Sequence, residues 1–436
     1  MGRLRVQQEI AIKGTKTVCK VLELLGYGGQ GEVYRVVVDG KELALKWYDP
    51  NSQIVPDSDS LGTLVKEGAP NERFLWPIQL VGDQSSKNRG YLMPLRPKNF
   101  EVLTSLLSGR INLSFSDLCT AGIQLADAYA QLHRKGWCYG DISDRNVFLE
   151  PATGDILICD NDNVSTNRSK VSVFPATPGF RAPEIERMEV REPSSRTDQY
   201  SLAVLLFNMF MLGHPLLGKL YWQQLSPAID AIKLLSDLLG WKPLFIFSST
   251  DPSNEPDDCQ RWVRDYWSLY PRFFRDLFTR TFTVGLNDPG ARVTESEWRR
   301  DLARLQDNII YCSCGTQNFY DPSLLGQAHC WRPSCGKAIR LPFRIRIGSR
   351  TITLNHDRRL FPHHLNTTSY DFKTPVAEVT QNPKHPAQWG LKNMGSQKWV
   401  MTLPDTSVHD IEPGRSVILS KGKKINFGNV EGEICT

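Results

Sequence analysis

Tyr139-Gly140-Asp141-Ile142-Ser143-Asp144-Arg145-Asn146-Val147-Phe148-Leu149 is the stretch from which the rest of the chain reads. An aspartate is followed five residues later by an asparagine, and then by an apolar run that predicts a short strand. If the intervening loop is tight, the Asp141 carboxylate and the Asn146 amide converge on one small volume. The carboxylate can then orient a hydroxyl while the amide oxygen binds a hard cation, because Mg²⁺ prefers oxygen ligands.

Working outward, Val18 to Val38 alternates apolar and polar residues on both sides of Gly26-Tyr27-Gly28-Gly29-Gln30-Gly31, which predicts two strands and a tight turn. Glycines let backbone N–H groups approach and cradle phosphates, although an ordinary glycine-rich hairpin has the same composition. Lys46 ends the next apolar strand, Glu42 to Trp47, fifteen residues beyond Gly31. A lone charge closing a buried strand needs an anionic partner, and nucleotide phosphates would supply one. Residues 117–134 carry Leu118, Ala121, Leu125, Tyr129 and Leu132 at three- and four-residue spacing, an amphipathic helix leading into the Asp141 loop. Beyond the loop, Asp155 to Asp160 predicts a strand ending in a carboxylate.

In this order the motifs resemble a eukaryotic-like protein kinase domain over roughly residues 17–306. The resemblance implies a two-lobed α+β fold, with an N-lobe at about 17–93 and a C-lobe at about 96–306. Gly26, Gly28, Gly31 and Val33 match G-x-G-x-x-G-x-V, and Leu43-Ala44-Leu45-Lys46 matches V-A-I-K. By that resemblance Lys46 holds the α/β-phosphates of ATP, Val33 and Ala44 roof the adenine, and Met93 and Leu95 form the hinge. Asp141 is the catalytic base, and Asn146 and Asp160 hold Mg²⁺. Glu67, in a short helix over 60–68, is the candidate partner of Lys46. Ala176 to Glu184 closes the activation segment, with Glu184 expected to be buried against Arg292. Asp198, at the head of an apolar helix from Tyr200 to Leu212, is expected to cap the catalytic loop.

The chain also departs from the family pattern. Asn161-Asp162 replaces the usual Phe-Gly after Asp160, so Asp162 is either a further metal ligand or a solvated turn residue, the turn being preferred. Tyr139-Gly140 stands where the family has His-Arg; loss of that arginine argues against activation by a phosphorylated loop. Ser143 stands where a lysine usually meets the γ-phosphate. Two functions follow: an active Ser/Thr kinase acting on a protein substrate, or a pseudokinase-type, nucleotide-binding scaffold.

Four of the ten cysteines, Cys312, Cys314, Cys330 and Cys335, fall in one short segment. Two thiolate pairs brought together by a hairpin suit tetrahedral Zn²⁺, so 310–337 is read as a zinc ribbon. His329 is a possible substitute ligand, and four reduced thiols are the alternative. Residues 338–436 alternate in short strands with turn signals between, predicting a β-sandwich. Gly390-Leu391-Lys392-Asn393 and Gly422 to Gly428 resemble the closing strands of a forkhead-associated domain. Kinase, ribbon and β domain in this order also resemble bacterial kinases of tellurite-resistance-type stress and defence clusters. That resemblance implies a PP2C-type phosphatase and a von Willebrand-type protein as partners.

Composition narrows the classes further. A net charge of +5 over 436 residues gives no case for nucleic acid as a partner. No apolar h-region stands at the N-terminus, and residues 1–16 read as a short leader. The most apolar run, Tyr200 to Leu212, falls short of the roughly 18 residues that span a bilayer, so no membrane partner is expected. Scattered cysteines without an export signal point to a reducing, cytoplasmic setting.

Overall fold

Alternation of buried and open side chains builds the first sheet. The strands are β1 (Glu9–Ala11), β2 (Val18–Gly28), β3 (Gly31–Val38), β4 (Lys41–Tyr48), β5 (Gln79–Gly82) and β6 (Arg89–Met93), and they lie antiparallel in the order β1-β2-β3-β4-β6-β5. The computed structural model describes residues 2–52, 58–82, 89–166, 177–227, 229–321, 328–366, 369 and 371–436. Ala176 and residues 322–327 of the expected ribbon therefore lie outside the described residues.

Residues 4–12 are not a detached leader. Leu4, Ile10 and Ile12 are buried with Val21, Val36 and Leu45, and β1 pairs with β2, because its single inward residue, Ile10, completes that core. Two glycines set the spacing around the lysine strand. A Cβ on Gly31 would lie 2.1 Å from the Trp47 carbonyl oxygen, and one on Gly90 would lie 2.2 Å from that of Lys46. Gly31 is therefore required by strand packing as well as by the turn. Helix α1 (Ser58–Glu67) ends at Gly68, whose φ of 69° is left-handed and whose N–H bonds the Leu64 carbonyl.

The second lobe is helical. Ser114 caps helix Phe115–Arg134 by accepting from the Asp117 N–H. A capping box of Ser194 and Thr197 starts helix Ser195–Met211, which is buried almost all round, as its apolar composition predicts. Between these helices, Val147–Leu149 and Ile156–Ile158 pair antiparallel and hold the Asp141–Asn146 loop at one end. In the region after Met211, Phe245, Phe247 and Trp267 pack against Phe207 of helix Ser195–Met211, and Phe245 also against Phe282, so this segment joins the aromatic core of that helix.

The chain divides into two compact units, Met1–Ser268 with Phe273–Leu302 and Leu269–Arg272 with Ala303–Thr436. In the second, hairpin Ile309–Tyr311/Gln317–Phe319 carries the first cysteine pair. Two antiparallel sheets follow. One has six strands, ordered Arg350–Thr353, Arg344–Ile347, Glu431–Cys435, Lys424–Asn426, Trp399–Thr402 and Val408–Ile411. The other has four: Arg359–Leu360, Ala377–Asn382, His385–Asn393 and Ser416–Ile418. Ile345, Ile352 and Ile434 of the first share one core with Val379, Leu391 and Val417 of the second. His363 and His364 are buried in the turn Pro362–Leu365, where His364 Nε2 lies 3.0 Å from Asp307 Oδ1. No described helix is long and apolar enough to cross a membrane.

Candidate active site

The loop after helix Phe115–Arg134 brings Asp141 and Asn146 together. The Asn146 side-chain amide donates to both the Asp141 carbonyl and Asp141 Oδ2, each at 2.9 Å. Asp141 Oδ1 accepts from the N–H and the hydroxyl of Thr177, both at 2.7 Å. Burial pushes the Asp141 carboxyl up; the hydrogen bonds from Thr177 and Asn146 oppose this without cancelling it. Because the Asn146 amide nitrogen is committed to Asp141, its oxygen is the atom left for a cation. Gly140 sits at φ 78°, a left-handed conformation that glycine adopts without strain.

Asp198 fixes the loop from below. Its two carboxylate oxygens accept from the backbone N–H groups of Tyr139 and Gly140, at 2.6 and 2.9 Å. His133, on the last turn of the preceding helix, bridges Asp198 at 2.9 Å and Glu295 at 2.8 Å. Burial alone would lower the His133 pKa, but these two carboxylates raise it to about 9. Burial would likewise raise Glu295, yet the His133 contact holds it below its usual value.

Since the folded pKa of His133 lies above its ordinary value of 6.5, its stabilisation is complete below about pH 6.5 and is lost as the pH rises through about 9. That span corresponds to about 3 kcal/mol. The melting temperature is expected to fall over this interval, and His133→Gln to flatten the slope. An unchanged slope in the variant would remove His133 as its cause.

Lys46 is buried, and its partners differ from those expected. Its ammonium donates to Asp162 Oδ1 at 2.9 Å, to Asp160 Oδ1 at 3.3 Å and to the Gln30 side-chain oxygen at 2.5 Å. Burial would depress the lysine, but the charges of Asp162 and then Asp160 outweigh it and keep it protonated. Glu67 is not brought to it. That residue is exposed at the end of α1, and its carbonyl lies 3.4 Å from Lys135 Nζ. α1 stops at Gly68 with the glutamate on its open side.

Asp162, preferred from the sequence as a solvated turn residue, is instead fully buried and serves as a counter-ion. Asp160 adopts a left-handed backbone (φ 51°), and its side chain remains 40% exposed. The Asp160 carboxylate and the Asn146 amide oxygen are both hard oxygen donors, the kind that Mg²⁺ prefers.

An apolar cluster adjoins this polar group through Tyr48 and Tyr91. Ala44 and Met93, paired across β4 and β6, cluster with partly open Val33, Leu95, Phe148 and Leu157. Phe148 and Leu157, read from the sequence only as strand residues, pack against this same cluster. Gly26 and Gly28 have open space where a Cβ would stand, leaving the backbone there accessible. On the far side of the lobe Arg292, fully buried, makes two bonds to the Glu184 carboxylate, at 2.8 and 2.7 Å.

The four clustered cysteines also meet. Their sulfurs all lie within 4.8 Å of one another, with Cys312 3.7 Å from Cys335 and Cys314 3.8 Å from Cys330. Around a tetrahedral ion with metal–sulfur bonds of about 2.3 Å, sulfurs stand roughly 3.8 Å apart. Each pair ends in a left-handed glycine, Gly315 and Gly336, that turns the chain back around the thiols. The group contains the cysteines and not His329, whose backbone instead bridges Ala338. This donor set fits a metal that favours sulfur.

A family model described as protein kinase domain matches residues 19–268. The chain is 25% identical over 219 residues to the probable L-type lectin-domain containing receptor kinase VII.2 of Arabidopsis thaliana, covering 47% of this chain and 31% of that one. It is 27% identical over 195 residues to the serine/threonine-protein kinase PknK of Mycobacterium tuberculosis, covering 43% and 17% respectively. It is 26% identical over 204 residues to the serine/threonine-protein kinase pim-2 of Danio rerio, covering 43% and 65%. The matched part spans about a third or less of the first two relatives. With more than half of its length matched, and with the Asp141 loop, Lys46 and Asp160 gathered beneath a glycine-bearing hairpin, the chain belongs to the protein kinase domain family.

Proposed function

We propose that the chain is an ATP- and Mg²⁺-dependent protein kinase that phosphorylates serine or threonine hydroxyls of a protein substrate. The observation that carries this reading is the convergence of four groups: Asp141 on Asn146 at 2.9 Å, and Lys46 on Asp160 at 3.3 Å. When bound, Mg²⁺-ATP supplies the phosphoryl group and the charge compensation for its transfer. Lys46 binds the α/β-phosphates, Asn146 and Asp160 hold the metal, and Asp141 orients the acceptor hydroxyl and takes its proton. The backbone at Gly26, Gly28 and Gly31 covers the phosphates. Val33 and Ala44 cover the adenine, and Met93 with Leu95 lines the hinge. The test is label transfer from γ-labelled ATP, to the protein itself or to a generic basic protein. Asp160→Asn is expected to reduce it at least a hundredfold; equal label in wild type and variant would end the enzyme reading.

One observation favours a second reading. Ser143 is fully buried and its hydroxyl has no hydrogen-bond partner among the described residues, so the position that carries a lysine in the family supplies no cation to the γ-phosphate. A nucleotide-binding scaffold would be stabilised thermally by Mg²⁺-ATP yet show no Asp160-dependent turnover.

In the proposed partition, 17–306 is the kinase, 310–337 a zinc ribbon and 338–436 a forkhead-associated-like sandwich. Arg350, near the place of that family's phosphate-reading arginine, donates to the His363 carbonyl at 3.0 Å. The proposed setting is a cytoplasmic bacterial stress or defence pathway with a PP2C-type phosphatase and a von Willebrand-type protein.

A further inference from the structure

Every buried charge needs a compensating one, and the pairing around Lys46 departs from a helix-borne glutamate. The Asp162 side chain has no exposed surface, and it is tied on three sides. Lys46 donates to its Oδ1 at 2.9 Å, Tyr48 to its Oδ2 at 2.6 Å and Tyr91 to its Oδ1 at 3.3 Å. Tyr48 stands on β4 two residues from the lysine, and Tyr91 is the residue paired with Lys46 across β4 and β6. Burial, and then the Asp162 charge, push both phenols well above their usual range, so they act as donors.

The turn that carries Asp162 is held as well. The Asn161 amide donates to the Ile158 carbonyl at 3.0 Å, and Asn163 Oδ1 accepts from Gln30 at 3.1 Å. Gln30, at the tip of the glycine hairpin, also accepts from Lys46. One short segment therefore joins the lysine, the hairpin tip and the metal-side carboxylate. Asp160 is the longer contact and the more open group, which leaves it free for a cation.

We propose that Asp162 is the positioning residue that holds Lys46 toward the nucleotide phosphates, so that the grip on nucleotide is set by the Asp160–Asn163 turn and not by helix α1. The inference rests on the nucleotide-binding reading of the site. Its consequence is that displacing α1 does not release the lysine, since among the described residues its side-chain partners are Gln30, Asp160 and Asp162, none of them on that helix. In Asp162→Asn the one carboxylate left to Lys46 among the described residues is Asp160, so the lysine is drawn onto the metal site.

The test uses the full chain, with Mg²⁺-ATP affinity by calorimetry and label transfer measured side by side. Asp162→Asn is expected to weaken affinity at least tenfold and to raise the Mg²⁺ concentration needed for half-saturation, whereas Glu67→Gln stays within twofold of wild type. The double variant Lys46→Met/Asp162→Asn is expected to bind no more weakly than Lys46→Met alone, because the two residues act as one unit. Should Asp162→Asn fail to unfold cooperatively, Tyr48→Phe with Tyr91→Phe keeps every charge and is expected to weaken affinity at least threefold.

Affinity within twofold of wild type in the informative variant would overturn the proposal. So would full additivity with Lys46→Met, or a loss in Glu67→Gln equal to that in Asp162→Asn. If wild type binds Mg²⁺-ATP without transferring phosphate, the kinase reading falls while the affinities still decide the role of Asp162. If wild type binds none, both fall.

Discussion

Replacing Asp141 by alanine is expected to slow phosphoryl transfer by about 10²–10⁴-fold, the range of a lost general base. The reason lies in how the carboxylate is held. Both of its oxygens are occupied, one by Asn146 and one by Thr177, so it cannot rotate away from the position an acceptor hydroxyl must reach. Alanine removes the proton acceptor and one of the two bonds on the Asn146 amide, leaving it only the Asp141 carbonyl, so that it orients the metal less firmly. Lys46 and Asp160 are untouched, so binding of Mg²⁺-ATP should change by no more than a few-fold, and the loss should appear in kcat. Single-turnover label transfer, with nucleotide affinity measured on the same preparation, separates the two quantities. A variant with wild-type kcat would show that Asp141 is not the base. Thr177→Ala removes only the side-chain bond and should cost much less, because the Thr177 backbone N–H still reaches Asp141.

Replacing Cys330 by serine is expected to release the metal and loosen the segment around it. Structural zinc contributes about 10–16 kcal/mol of folding free energy in small sites, and serine offers a hard, protonated oxygen in place of a soft thiolate. Among the described residues the buried cluster here is small, Ile310, Cys312, Cys330 and Ile339, with Tyr320, Ala328, Cys335 and Leu341 partly buried against it. Without the ion, little else opposes opening of 310–337. Metal analysis should find about one zinc per wild-type chain, as in a closed site, and none in the variant. Limited proteolysis should then cut within 310–337, while nucleotide still stabilises the kinase domain through its own core. A metal-free wild-type protein with that segment equally resistant would leave the thiols as structural neighbours only.

Residues that act through their own neighbours were readable from sequence. Asp141 and Asn146 are five apart on one loop, and Lys46 ends its strand after the glycine hairpin. Leu45, Trp47, Leu92 and Val81 alternate onto one core face. The cysteine pairs were legible for the same reason, since each pair is close along the chain and soft ligands have few other uses in such a cluster. The first strand was missed because three residues with one inward side chain give too short a period to detect.

What tertiary structure alone decided was the partner of Lys46. A glutamate on a short helix and an aspartate two residues past the metal-side carboxylate are equally acidic in sequence. Which is buried depends on where α1 ends and on two tyrosines, one on β4 and one on β6. His133 was likewise just another residue of a helix's last turn until Asp198 and Glu295, 65 and 162 residues away, closed on it. Sequence determined which groups are present and their local spacing. Burial, which sets whether a charge needs a partner and which one it finds, is a property of the assembled strands and helices.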